Sequence, residues 1–140
     1  MTILDANVLV FLHNEDAPQH AKCQKWVENA IASGELIGIP WICLMAFLRI
    51  TTAPGLMSQP ISIEDGAKIV SGWIEHPSVV IPEPGRRFWK ALQELAFDSG
   101  IRGRTWTDAH LAALAIENGA AFATFDRDFR RFKGLQLVEL

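Results

Sequence analysis

Asp5 closes the apolar run Thr2-Ile3-Leu4, Asp108 stands at the head of the helical stretch Thr107–Asn118, and Asp126 and Asp128 follow the apolar run Ala121–Phe125. In an open parallel sheet, ligands bind beyond the carboxyl ends of the strands. Acids that end two separate strands and start one helix can therefore meet in a single crevice. Carboxylates gathered without matching cations repel one another, and burial raises their pKa values. A divalent ion relieves both penalties, and an oxygen-only ligand set suits Mg²⁺ or Mn²⁺ better than zinc. The chemistry implied is metal-assisted hydrolysis of a phosphate ester.

Each acid also has an ordinary structural use. Asp5 can cap a helix starting at Ala6. Thr105-x-x-Asp108 has the spacing of a capping box, and a helix dipole welcomes an acid in its first turn. Asp126 and Asp128 flank Arg127 and can form a charged turn. These uses are compatible with metal ligation but do not account for all the acids falling at strand ends and a helix start. Other chemistries find less support. His13, His20, His76 and His110 lack metal-ligand spacing, and His20-x-x-Cys23 has no second pair to make a zinc site. There is no Gly-rich phosphate loop and no Gly-x-Ser-x-Gly elbow. The five tryptophans fit core and interface packing, although Trp106, beside the Asp108 helix, can equally serve to stack a base.

The elements that must position these groups alternate between strand and helix. Strands are expected at Thr2–Leu4, Leu36–Ile39, Val79–Ile81, Ala121–Thr124 and, as a short edge, Leu135–Val138. Cys23, Trp26, Val27, Ala30 and Ile31 make one helical stripe, stopped by Gly34. Ile63, Ala67, Val70 and Ile74 make a second that ends before Pro77, and Phe88, Leu92, Leu95 and Ala96 make a third that ends at Gly100. Trp41–Ile50 is apolar nearly all round, with Arg49 its exception, so that helix is expected to be buried. Pro54, Gly55 and Pro60 mark the longest loop, read as a mobile flap. Strands separated by helices imply βαβ units and a mostly parallel sheet covered on both faces, an α/β fold.

Composition sets the frame: 140 residues, read as one domain, with 49% hydrophobic and 21% charged residues. The net charge of −3 disfavours coating nucleic acid by bulk attraction. The charge is uneven, however, because nine of the 13 Lys and Arg fall between residues 83 and 134. A basic rim around an acidic pocket is compatible with that distribution. Cys23 and Cys43 sit in apolar patterns and read as core residues, with no disulfide framework. No apolar stretch approaches the length of a membrane span, and no signal peptide is evident, so the expectation is a cytoplasmic protein.

Three segments, in order, resemble the PIN domain and more narrowly the VapC toxins of bacterial toxin–antitoxin pairs. They are Leu4-Asp5-Ala6-Asn7-Val8-Leu9-Val10, Thr107-Asp108-Ala109-His110-Leu111-Ala112-Ala113-Leu114-Ala115, and Thr124-Phe125-Asp126-Arg127-Asp128-Phe129 followed by Phe132 and Gly134-Leu135. The resemblance implies a three-layer α/β/α fold over residues 1–140 and a Mg²⁺- or Mn²⁺-dependent endoribonuclease. It further implies a homodimer neutralised by a VapB-type antitoxin. On the same basis Asp5, Asp108 and Asp126 are the metal-binding and catalytic acids, with Asp128 and Thr124 supporting them. One match fails. The family carries a Glu a few residues before an Arg on the second-layer helix, and Leu44-Met45-Ala46-Phe47-Leu48-Arg49 offers no acid, the gap falling at Ala46 or, on a longer spacing, Leu44. That gap keeps a second class open, a degenerate PIN domain that binds or regulates without catalysis. Two other folds fit poorly. A phosphorelay receiver wants paired acids after its first strand, where Asp5 is followed by Ala6 and Asn7. A haloacid-dehalogenase phosphatase places its Asp-x-Asp there too, rather than at Asp126–Asp128.

Overall fold

The structure is a computed structural model and describes residues 1–55 and 59–140. The flap expected around Pro54, Gly55 and Pro60 has its centre at residues 56–58, outside the described residues. Five strands form one parallel sheet: β1 (Thr2–Leu4), β2 (Ile37–Gly38), β3 (Val79–Val80), β4 (Ala121–Thr124) and β5 (Gln136–Glu139). Their order is β3-β2-β1-β4-β5. The chain builds outward from β1 through β2 to β3, then returns to the other side of β1 for β4. The strand order reverses between β1 and β4, and such a reversal opens a crevice at the carboxyl ends of the strands. Thr2, Ile3 and Leu4 pair in register with Ala121, Phe122 and Ala123, so Asp5 and Thr124 emerge side by side.

The helices are α1 (Ala6–His13), α2 (His20–Ala32), α3 (Trp41–Thr51), α4 (Ile63–Glu75), α5 (Phe88–Ser99) and α6 (Thr105–Glu117), with a 3-10 turn at Arg127–Arg131. α1 packs against α2 and α3, and α3 against α4, while α5 and α6 form a second packed pair. The helices flank the sheet as the expected α/β/α arrangement. Its core is made by Ile3, Leu4, Leu9, Leu44, Phe47, Leu114 and Phe122, all essentially inaccessible to water. α6 brings its backbone close because Ala109, Ala112, Ala113 and Ala115 are buried in it, and alanine carries the highest helix propensity. α5 ends where Gly100 adopts φ 58°, a left-handed cap that a side chain would disfavour.

Four local expectations change. α6 starts at Thr105, two residues earlier than its apolar pattern suggests. The capping box does not form, because the Thr105 hydroxyl accepts from the Arg102 N–H at 2.9 Å and donates to the Arg102 carbonyl at 2.8 Å. It closes the turn ahead of the helix instead. α3 is not buried all round: Trp41, Met45 and Arg49 are exposed along one stripe at i, i+4 and i+8. An apolar residue on an outward stripe is indistinguishable in sequence from a buried one. The edge strand β5 is also displaced one residue toward the carboxyl end from its expected bounds.

The start of α5 is held from a distance. Arg87, at its N-cap, supplies no capping side chain. The Glu117 carboxylate at the end of α6 accepts from the backbone N–H of Gly85 at 2.8 Å and of Arg87 at 2.9 Å. A Cβ on Gly85 would come within 2.7 Å of that carboxylate. Glu117→Ala is therefore expected to cost about 1 kcal/mol and to lower the thermal midpoint, because two N–H groups revert to water. Glu117→Gln, which keeps one acceptor, should fall between the two. Equal melting of all three proteins would show that the loop is held by other contacts.

Candidate active site

Asp5 sits where β1 becomes α1. Its backbone N–H continues the sheet by donating to the Ala123 carbonyl at 3.0 Å. Its carboxylate caps α1, with Oδ1 accepting from the Ala6 N–H at 2.7 Å. Oδ2 accepts from the Thr124 hydroxyl at 2.6 Å and from the Asn7 amide at 2.8 Å. The same hydroxyl accepts from Asn7 Nδ2 at 3.0 Å and from the Asp126 N–H at 3.0 Å. Thr124 is wholly buried, and its proton and acceptor capacity are both in use. One strand end thus fixes the carboxylate that ends its neighbour. Burial holds the Asp5 carboxyl above the usual carboxylate value. The Thr124 and Ala6 hydrogen bonds oppose that rise, and the charges of Asp108 and Asp126 add to it.

Asp5 opens onto a cavity of about 340 Å³ between α3 and the start of α6. Asp108 and Thr107 line it from α6, and Ile42, Cys43, Met45, Ala46 and Arg49 line it from α3. Asp108 is half-buried, and burial followed by the charge of Asp126 raises its pKa. Asp128 adds to the rise, whereas Arg131 and Arg104 partly offset it. The cavity therefore presents two strained carboxylates facing largely apolar walls, with one guanidinium, Arg49, on its rim. The Cys43 thiol is buried, and burial with the charge of Asp5 pushes its pKa far up, so no thiolate nucleophile is available there. Ala46 faces the cavity directly, so the missing acid would have belonged to this wall.

The remaining acids stand differently. Asp126 is exposed and does not line the cavity; its Oδ1 accepts from the Asp128 N–H at 2.8 Å and caps the 3-10 turn. Asp128 is exposed and pairs with Arg131 at 3.1 Å. The charged-turn use of this segment is realised. The fields of Asp126 and Asp128 still reach Asp108, so the acids share one electrostatic neighbourhood. Among the described residues, no three His, Cys, Asp or Glu side chains are grouped closely enough to hold a metal ion. The donor chemistry nevertheless suits a hard divalent cation. The donors are oxygens only, and two acids are held above their ordinary pKa by burial and mutual repulsion, a penalty that such an ion offsets. Asp5 and Asp108 are the residues placed to hold it, because they face the same space.

Two residues at this site were not singled out from the sequence. Asn7 holds both Asp5 and Thr124, and its Oδ1 lies 3.5 Å from the Phe125 N–H. The available signal was a lone amide two residues after a helix-capping acid. Arg49 stood out as a charge in an apolar helix and as the marker for the missing acid, but not as a site residue. The histidines stay apart from the acids: His110 packs edge-on to Phe88 with centroids 4.9 Å apart, and His20 Nδ1 lies 2.9 Å from the Phe11 carbonyl. Cys23 and Cys43 are both free and buried.

Residues 2–135 match the PIN domain family model. The chain is 35% identical over 136 residues to ribonuclease VapC37 of Mycobacterium tuberculosis, covering 97% of this chain and 94% of that protein. It is also 35% identical to ribonuclease VapC43 of the same species, covering 97% and 92%. Among solved structures, VapBC2 from Rickettsia felis bound to a promoter DNA fragment aligns with a TM-score of 0.68 at 17% identity, over 99% of this chain and 98% of that one. The sarcin–ricin-loop-cleaving toxin VapC20 of M. tuberculosis aligns at 0.65 and 14% identity, over 96% and 98%. Those two show the shared fold, and the sequence relatives show descent. The chain belongs to the PIN-domain family, among the VapC ribonucleases.

Proposed function

We propose that this protein is a Mg²⁺- or Mn²⁺-dependent endoribonuclease, the toxin of a type II toxin–antitoxin pair, hydrolysing phosphodiester bonds in RNA. The observation that carries the metal-dependent reading is the pair Asp5 and Asp108, both held above the ordinary carboxylate pKa on one cavity that Arg49 also lines. Asp5 and Asp108 would hold the cation, with Asp126 reaching it through water. When bound, the ion would lower the pKa of a coordinated water and offset charge on the phosphoryl oxygens. Asn7 and Thr124 keep Asp5 oriented, Asp128 holds Arg131 beside the site, and Arg49 gives the phosphate a cationic contact. Ile42, Met45 and Leu111 give the cavity apolar walls, and a lower local dielectric strengthens these charge interactions. Single-stranded or looped RNA is the expected substrate, because a duplex hides its base edges.

The relatives support the partners in the same reading. Several neighbours in fold were solved as VapBC complexes on DNA, so a VapB-type antitoxin is the proposed partner. A homodimer of this PIN domain, spanning residues 1–140, is the proposed assembly, and the exposed Trp41 on α3 is available to it. Among the described residues, no helix is long and apolar enough to cross a membrane, and a cytoplasmic location is part of the proposal.

The absence of an acid at Ala46, together with the lack of a three-ligand cluster among the described residues, favours the second reading, a binding or regulatory PIN domain. A cleavage assay on total RNA separates the two. The protein is expected to cut RNA in Mg²⁺ or Mn²⁺ and to stop when EDTA is added. Ala46→Glu is expected to raise cleavage at limiting metal, since a third carboxylate on the cavity wall offsets more of the cation's charge. Inactivity of both forms across RNAs and metals would favour the binding-only reading. A variant destabilised by about 1–3 kcal/mol with no gain in rate would show that the site works without that acid.

A further inference from the structure

α5 turns Leu92 and Leu95 into the core, yet it leaves Trp89 59% and Phe97 81% exposed. Trp106, in the first turn of α6, is 44% exposed. Trp89, Phe97 and Trp106, with Gln93, Ala96 and Ile101, line a slot of about 270 Å³ between the two helices. Among the described residues, none of these three rings pairs with another aromatic ring, so their faces are open rather than spent on each other. Large aromatic surface left in water on a small protein marks a site of contact.

Charge indicates what makes that contact. Arg102 and Arg104, exposed in the loop between α5 and α6, lie immediately before Trp106. Among the described residues, neither guanidinium has a carboxylate within 4.0 Å. Arg104 also restrains the rise of the Asp108 pKa, so its charge is felt at the acid cavity. Trp106 precedes Asp108 by two residues, a turn of about 200° that sends the two side chains to different sides of α6. Open aromatic faces beside unpaired arginines suit a single-stranded nucleic acid, whose bases stack while its phosphates follow the cations. Gln93 adds an amide that can both donate to and accept from a base edge.

We propose that Trp89, Phe97 and Trp106 form a base-stacking platform for single-stranded RNA on the face made by α5 and α6, with Arg102 and Arg104 holding its phosphates. This inference rests on the ribonuclease reading above and names where that substrate is gripped. It also assigns Trp89 and Trp106, two of the five tryptophans, to recognition rather than packing.

The test measures binding apart from cleavage. A fluorescein-labelled, unstructured short RNA is titrated in EDTA by anisotropy against the wild type, Trp106→Ala, Trp106→Phe and the double variant Trp89→Ala/Phe97→Ala. Thermal melts and sedimentation of each variant accompany the titration. Trp106→Ala and the double variant are expected to weaken binding by about tenfold or more, roughly 1.4 kcal/mol. Trp106→Phe should retain most of the affinity, because any flat ring stacks. Unchanged affinity in folded variants overturns the platform. Unchanged affinity together with loss of self-association overturns it in favour of a face between copies. RNA that binds through these rings without being cut in Mg²⁺ would support the platform while contradicting the nuclease reading, so the two fail separately.

Discussion

Asp108→Asn is expected to abolish RNA cleavage while raising the thermal midpoint of the metal-free protein. The loss should be on the order of a hundredfold or more, the scale of removing one contact that stabilises transition-state charge. The gain in stability has the same origin as the loss. Burial and the charges of Asp126 and Asp128 oppose the ionisation of Asp108. An amide of the same shape carries none of that penalty. Functional sites often hold such destabilising groups at a cost to the fold. The pH dependence follows in sign. A carboxyl whose pKa is raised on folding binds its proton more tightly in the native state, so stability is greatest below the ordinary carboxylate pKa and falls as pH rises through the folded value. Melts of the metal-free wild type should show this decline above the ordinary carboxylate range, and melts of Asp108→Asn should show less of it. A variant that melts lower at pH 7 would mean that Asp108 is a structural cap rather than a strained functional group.

Thr124→Val should be the most damaging change of similar size. The substitution preserves shape but removes a hydroxyl that donates to Asp5 and accepts from Asn7 and the Asp126 N–H. With no room for water at a fully buried position, the unsatisfied groups should cost about 1–3 kcal/mol. Asp5 also loses the strongest of the hydrogen bonds that restrain its pKa, so its carboxyl should rise further. The acid limb of the cleavage profile should accordingly move to higher pH in Thr124→Val. Thr124→Ser, which keeps the hydroxyl, should restore the profile even if it packs less well. A normal profile in the valine variant would leave Thr124 as a packing residue only.

The parts of this architecture carried by short-range pattern were legible in the sequence. An apolar run followed directly by an acid located the ends of β1 and β4, and the parallel pairing then placed Asp5 beside Thr124. Asp108 was readable because alanine-rich α6 announces its own helix. What escaped detection depended on which side of a helix faces outward. Trp41 and Met45 look like core residues on α3, Trp89 looks like one on α5, and Trp106 on α6 reads equally as packing or stacking. Only the packing of α5 on α6, set by Leu92, Leu95 and the buried alanines, shows that those rings remain in water. Asn7 escaped for a different reason: its partners, Thr124 and Phe125, lie more than a hundred residues away in the chain. Asp126 was grouped with the other acids by its position after a strand. Its carboxylate instead turns back to cap the 3-10 segment, a choice made by local backbone geometry rather than by residue type.

The central claim is that Asp5 and Asp108 share one divalent cation at the cavity between α3 and α6. Calorimetric titration of the purified protein with Mn²⁺ tests it directly. The wild type should bind, and Asp5→Asn and Asp108→Asn should each weaken binding by about tenfold or more, roughly 1.4 kcal/mol. Affinity unchanged in both variants would contradict the claim.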